Sequence, residues 1–197
     1  MLLNSDTILP SKCLIKLVSF LEKNPTIGAA SCIQVNTKNK IDKTCSAFPN
    51  PLVEILEDNI FNKFFSKLNI IKKYRYGDWD RKSTFPVDVV GSSLVILRRK
   101  ILEKIGFFDE NFILFYGEDD ICLNIKKLGY SIYHYSGVKI THIGSQSLKS
   151  LNKWVIFEIS QNDKLYYYKK HFGLIWWIIL WLSLRPNWLY WRLKSLH

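Results

Sequence analysis

Apolar and polar residues alternate along this chain with two periods, and each period predicts a different element. Met1 to Asp6 (Met-Leu-Leu-Asn-Ser-Asp) reads as the end of a buried strand running into a polar loop. Pro10-Ser11 then opens a helix in which Leu14, Leu17, Val18 and Leu21 share one face. Asn24-Pro25 ends it, because a residue before proline is pushed out of the α region. Ile27 to Val35 predicts a strand of small residues. From Pro49 to about Tyr76 the chain is aromatic and lysine-rich, with a helical pattern through Phe61, Phe64, Phe65 and Leu68.

Tyr74 to Pro86 is a polar loop holding Gly77-Asp78-Trp79-Asp80. Val87 to Leu97 predicts one strand, broken by Gly91-Ser92-Ser93. Arg98 to Ile105 predicts a short helix with Gly106 just past its end. After an aromatic loop from Asp109 to Gly117, a helix is expected from about Glu118 to Leu128. Its acidic first turn and its last-turn Lys126 and Lys127 complement the macrodipole, and Gly129 caps it. Two short strands follow, around Ser131–Tyr135 and Val138–His142, and then a helix from Ser147 to about His171. Strands alternating with helices argue an α/β fold.

The tail differs in kind. Gly173 to Leu184 is almost wholly apolar, and five of the seven tryptophans are Trp176, Trp177, Trp181, Trp188 and Trp191. The run falls short of the roughly 20 residues that a spanning helix needs. Tryptophans flanked by Lys169, Lys170, Arg185, Arg192 and Lys194 predict an amphipathic segment at a membrane interface; a buried helix or a subunit contact is the alternative. The expected division is therefore residues 1–171 and a tail of residues 172–197.

Composition narrows the class. With 48% hydrophobic and 23% charged residues among 197, a packed core is expected and disorder is not. The net charge of +11 favours anionic partners such as phosphates or an anionic membrane surface. Cys13, Cys32, Cys45 and Cys122 form no Cys-x-x-Cys pair, so buried reduced thiols are expected, as in a reducing compartment. Basic charge with aromatics also raises nucleic-acid binding, but the aromatics lie in apolar clusters and no such motif is present; no nucleic-acid partner is expected.

Four constellations could carry chemistry. Asp6 closes a strand end, where α/β proteins bind ligands and where a hard cation finds an oxygen ligand; a turn or helix-cap Asp is the plainer reading. Glu118-Asp119-Asp120 crowds three carboxylates into one helical turn. Such crowding raises at least one pKa and suits a general base, while acidic residues are also common at helix starts. His142 precedes a Gly-Ser loop and could meet a metal or a phosphate, although a lone histidine is more often structural. Asp88-Val-Val-Gly91-Ser92 puts glycine inside a strand pattern, the mark of a close backbone approach or a simple bend.

The order of these segments is more telling than any one of them. The Asn-x-Asp-Thr strand end, the Gly-Asp-Trp-Asp loop, a Val-Asp-x-Val-x-Gly-Ser-like segment (here Val87-Asp88-Val89-Val90-Gly91-Ser92), Gly-Phe-Phe-Asp-Glu-x-Phe, Gly-Glu-Asp-Asp, Lys-Lys-x-Gly-Tyr and His-x-Gly-x-x-Ser together resemble family 2 glycosyltransferases, closest to their rhamnosyltransferase-like branch. The resemblance spans Met1 to roughly His171. It implies a partial GT-A (nucleotide-diphospho-sugar transferase) fold with a mixed sheet flanked by helices. It implies a hexosyltransferase-type enzyme that moves a sugar, with inversion, from a nucleotide-sugar donor to a lipid-linked or polysaccharide acceptor. Asp6 would match the metal-motif aspartate, holding Mg²⁺ or Mn²⁺ against the donor diphosphate, with His142 near it. Asp119 would match the catalytic base. Gly91 and Ser92 would line the donor-sugar side, Trp79 and Asp80 would belong to the acceptor-side loop, and Asp88 would join the donor- or acceptor-binding residues. The implied location is peripheral, at the cytoplasmic face of a membrane.

Two departures accompany the resemblance. The family often writes Glu-Asp-x-Asp before an apolar helix, whereas Glu118-Asp119-Asp120-Ile121 is one residue shorter. Matched from its front, the motif makes Asp119 the base; matched from the helix side, it makes Glu118 the base and Asp120 the helix-side acid. The family also has several βα units before the Asn-x-Asp strand, so the chain is expected to lack the units that bind the nucleotide. The alternative reading is a non-catalytic remnant, or the partner-binding half of a split transferase.

Overall fold

The computed structural model describes residues 1–57, 65–91, 93–144 and 151–194. Its centre is a mixed sheet built on β3 (Ile27–Val35) and β6 (Ser131–His142), which run parallel. Strand β5 (Leu94–Leu97) pairs antiparallel with the far edge of β3, and β1 (Leu2–Leu3) pairs antiparallel with β5. The other edge of β6 takes two short antiparallel strands, β4 (Phe85–Val87) near its start and β2 (Thr7–Ile8) at its end. β3 is buried along almost its whole length, as a strand covered on both faces must be, and its run of small and aliphatic residues reflects that.

Helices cover both faces. Helix α1 (Cys13–Lys23) lays Cys13, Leu17 and Leu21 against Ile27, Ala30, Cys32, Leu94, Val138 and Ile140. Truncating Leu17, which is fully buried, to alanine costs on the order of 2–5 kcal/mol. On the opposite face, α4 (Arg99–Ile105) and α5 (Gly117–Lys127) bury Ile101, Ile121 and Ile125 against Ala29, Val87, Val95 and Ile132. Gly106 (φ 81°) and Gly129 (φ 84°) adopt the left-handed conformation just past these helices, a conformation that costs glycine little. A third cluster joins α6 (Lys153–Phe172) to α7 (Leu174–Ser183) through Tyr167, Tyr168 and Leu180. Helices α2 (Pro51–Glu57), α3 (Asn69–Tyr74) and α8 (Arg185–Lys194) complete the fold.

Several expectations change. The opening residues form a two-residue edge strand with Leu3 exposed, not the end of a buried strand. Val18 points to solvent, and the buried stripe of α1 is Cys13, Leu17 and Leu21. Val87–Leu97 is not one strand, because β4 and β5 lie on opposite sides of the β3–β6 pair. The two expected strands after Gly129 are one strand, β6. It skips register between Tyr135 (opposite Cys32) and Lys139 (opposite Ile33), which leaves residues 136–138 as a bulge. The helical pattern through Phe61 and Phe64, the first residues of the helix expected from Ser147, and Ser92 lie outside the described residues.

Candidate functional site

Pairing of β2 with β6 sets Thr7 opposite His142, so Asp6 and His142 meet at the carboxyl end of the parallel β3–β6 pair. That end is where open α/β sheets bind ligands. His142 Nε2 lies 3.0 Å from Asp6 Oδ1. Gln34, at the end of β3, donates from its amide nitrogen to His142 Nδ1 at 3.1 Å. Asn4 Nδ2 lies 3.4 Å from His142 Nε2, so side-chain amides flank both ring nitrogens. The 3.0 Å contact with His142 orients the Asp6 carboxylate. The Asp6 carbonyl accepts from Ile143 N at 2.9 Å, and the Thr7 hydroxyl donates to the Ser93 carbonyl at 3.1 Å, which fixes the loop around the carboxylate.

A divalent cation can be tested against this donor set. Among the described residues no group of three His, Cys, Asp or Glu side chains could hold a metal alone. One hard carboxylate with a hydrogen-bonded partner instead fits Mg²⁺ or Mn²⁺ that takes its remaining ligands from water and a bound diphosphate, the usual manner for Mg²⁺.

The acidic turn opens α5. Tyr116, with φ 62°, precedes it and turns the chain into the helix. Its three carboxylates have separate environments. Asp120 is 2% exposed and locked to α6, with His171 Nε2 at 2.6 Å and Lys170 Nζ at 2.7 Å. Burial disfavours its charge, but the hydrogen bonds from His171 and Lys170 outweigh burial and hold its carboxyl below the ordinary value. Lys170 also reaches Asp109 at 2.7 Å, and Tyr166 donates to that carboxylate at 2.9 Å. Burial opposes ionisation of Asp109 as well; Lys170 and Asn111 overcome it and keep the group well below the carboxylate range.

Asp119 is the opposite case. Partly buried and without an ion pair among the described residues, it is pushed up to about 7 by burial first and then by Glu118, Glu54 and Asp120. Tyr116, Tyr167 and Tyr168 neighbour it, and burial first, then Glu54 for Tyr116 and Tyr168 and Asp119 for Tyr167, holds their phenols well above the ordinary value, so they stay protonated. Glu54 is itself paired with buried Lys164 at 3.0 Å. Glu118 lines a small apolar pocket with Leu2, Val90, Val95, Leu97, Ile121 and Cys122, which joins the acidic turn to the strand that leads into Asp6.

The loop before α5 is held from behind. Asp163 of α6, 2% exposed, accepts from the amides of Ile113, Leu114 and Phe115 at 3.1, 2.8 and 2.8 Å. Each such bond to a charged acceptor contributes about 1.5–3 kcal/mol.

The remaining predicted residues are more dispersed. Asp88 pairs with Lys126 of α5 at 3.1 Å, and its amide donates to Tyr76 Oη at 3.1 Å. At Gly91 the close approach is to Thr44: an added Cβ would stand 3.0 Å from Thr44 Cβ and 3.3 Å from its carbonyl oxygen. Trp79 is partly buried, edge-on to His134 at 4.9 Å and against Phe85 at 4.8 Å, so its ring serves packing. Asp80 is exposed and accepts from Lys82 N at 2.9 Å. The sequence reading missed Arg81, which is 1% exposed and donates to the carbonyls of Arg75, Cys45, Tyr76 and Trp79, pinning this loop. It also missed Gln34, Glu54, Asp163 and His171, for which the chain shows no motif, and it set Lys170 beside the tail tryptophans, whereas Lys170 pairs with Asp109 and Asp120.

Compared with known proteins, the chain matches no family model and no curated protein. The fold class stands as α/β with a mixed open sheet flanked by helices.

Proposed function

We propose that this chain forms the diphosphate-holding and acceptor-activating part of an inverting glycosyltransferase that works on a nucleotide-sugar donor and a lipid-linked or polysaccharide acceptor. The observation that carries the reading is the meeting of Asp6 and His142 at 3.0 Å. Far apart in sequence, both fall on the diphosphate side in the family resemblance, and they are neighbours at the ligand-binding end of the sheet. The division of labour among the acidic residues adds support. Asp120 is neutralised by Lys170 and His171, so Asp119 is the carboxylate poised near neutral pH.

In this reaction Asp119 takes the proton of an acceptor hydroxyl as that oxygen attacks the donor's anomeric carbon. The new C–O bond forms on the face opposite the bond to the diphosphate. The diphosphate oxygen leaves with the electron pair of the broken bond, and the configuration inverts. Asp6, oriented by His142, would hold Mg²⁺ or Mn²⁺, which neutralises charge on the leaving diphosphate. Asp163 keeps the loop of Ile113–Phe115 against α6 and so fixes the entry to α5.

Calorimetry with a panel of nucleotide sugars, with and without Mn²⁺, tests the reading. Donor binding should depend on the cation, and Asp6→Ala should weaken it at least tenfold, about 1.4 kcal/mol. Identical titrations for the two proteins sink the assignment of Asp6. Absence of both donor binding and transfer across the panel favours a partner-binding, non-catalytic role.

A further inference from the structure

Helix α7 breaks the rule that governs surface helices. Its sequence from Leu174 to Ser183 contains no charged residue. One face is used: Leu180 is fully buried and Leu184 nearly so, while Trp177 and Trp181 are partly buried beside them. The other face is just as apolar and is open, with Ile175 73% exposed, Leu182 57% and Ile178 42%. These positions recur at i, i+3 and i+7 and form a single stripe. A surface helix normally shows polar residues on that side, and one that is apolar all round is normally buried.

Helix α8 repeats the arrangement. Its inner face packs on α6 through Trp188 against Trp154 at 5.5 Å and Trp191 stacked on Phe157 at 5.6 Å. Its outer face exposes Leu189, Tyr190 and Leu193.

Charge identifies what covers these two faces. No Asp or Glu occurs from Lys164 to His197, and Arg185, Arg192 and Lys194 are set on the same helices. Arg185 lies over the Trp181 ring at 3.7 Å, and Lys194 lies 5.2 Å from the Trp191 ring. Cations resting on half-buried tryptophans of helices whose other face is apolar and open match the headgroup level of a bilayer, where the ring is half dry and the charge meets phosphate. At 1.5 Å per residue, a ten-residue helix is about 15 Å long, half of a hydrocarbon core. Among the described residues no helix is long and apolar enough to cross a membrane. The remaining geometry is a helix pair lying in the plane of the interface.

We propose that α7 and α8 form a docking surface for an anionic lipid bilayer. Ile175, Ile178, Leu182, Leu189 and Leu193 enter the acyl boundary, and Arg185 and Lys194 meet lipid phosphates. The surface does not depend on the transferase reading, because it needs neither donor nor cation.

Sedimentation of the full chain with vesicles tests it. One set is phosphatidylcholine alone and the other an equimolar mixture with phosphatidylglycerol. Binding should be at least tenfold tighter to the mixed vesicles and should fall with added salt. The triple variant Ile175→Ser, Ile178→Ser, Leu182→Ser changes only exposed positions and should lose at least tenfold in affinity with an unchanged circular dichroism spectrum. Equal binding by the variant and the parent overturns the proposal. So does a parent that ignores both vesicles but sediments as a dimer, with the variant a monomer; that outcome assigns the face to a second copy of this chain. The result is read without nucleotide sugar, so it stands apart from any outcome of the donor titration.

Discussion

Replacing Asp119 by asparagine should make this protein more stable, and only above the acidic range. The carboxyl is held at about 7 against an ordinary 3.8, so the fold disfavours its ionised form by about three pKa units. At 1.36 kcal/mol per unit, and with part of the side chain open to water, that is on the order of 2–4 kcal/mol. The unfolded chain releases this proton near pH 4, whereas the native protein keeps it until about pH 7. Between those limits the native state binds more protons, so Asp119's contribution is fully present below pH 4 and lost as pH rises through 7. Asparagine resembles the protonated acid and does not titrate. The variant should therefore match the parent near pH 4 and exceed it by 2–4 kcal/mol, several degrees in Tm, near pH 8. Urea unfolding followed by tryptophan emission at pH 4, 6 and 8 measures the difference. The other titrating groups are shared by both proteins and cancel. A stability difference independent of pH, or a variant less stable at pH 8, refutes the account of this site. The gain should come with loss of transfer, since a buried charge kept at a stability cost is what a general base near neutrality requires.

Two further substitutions probe the surroundings. Asp120→Asn removes the charge that pairs Lys170 and His171, while Lys170 keeps Asp109, and should destabilise by about 1.5–3 kcal/mol at neutral pH, the effect fading as pH falls through the lowered pKa of Asp120; chemical denaturation at pH 7 and in acid reads it. Asp163→Ala strips the acceptor from three amides and should cost about 3 kcal/mol or more, with hydrogen exchange accelerated at Ile113, Leu114 and Phe115; unchanged protection there contradicts the anchoring role.

Local pattern determined much of this protein. The span of β3, the short helix before Gly106, the acidic helix closed by Gly129 and the apolar tail follow from periodicity and caps, because those signals lie within a few residues of one another. The sequence also marked Asp6, His142 and the Glu118-Asp119-Asp120 turn as candidates, but a turn aspartate and a structural histidine were the plainer readings of the first two, and both Asp119 and Glu118 stood as candidates for the base. The tertiary structure decided their surroundings. Whether Glu118, Asp119 or Asp120 keeps a reactive carboxyl depends on Lys170, His171 and Glu54, which reach the turn from α6 and α2, and no local spacing encodes that approach. The single strand β6 was hidden for the same reason: its bulge at residues 136–138 reads as a break until β3 pairs on both sides of it. Gly91 announced a close contact, and only folding identified Thr44 as the group it meets. Hydrophobic period and capping are properties of neighbours in sequence, whereas charge, protonation and solvent access are set by neighbours in space.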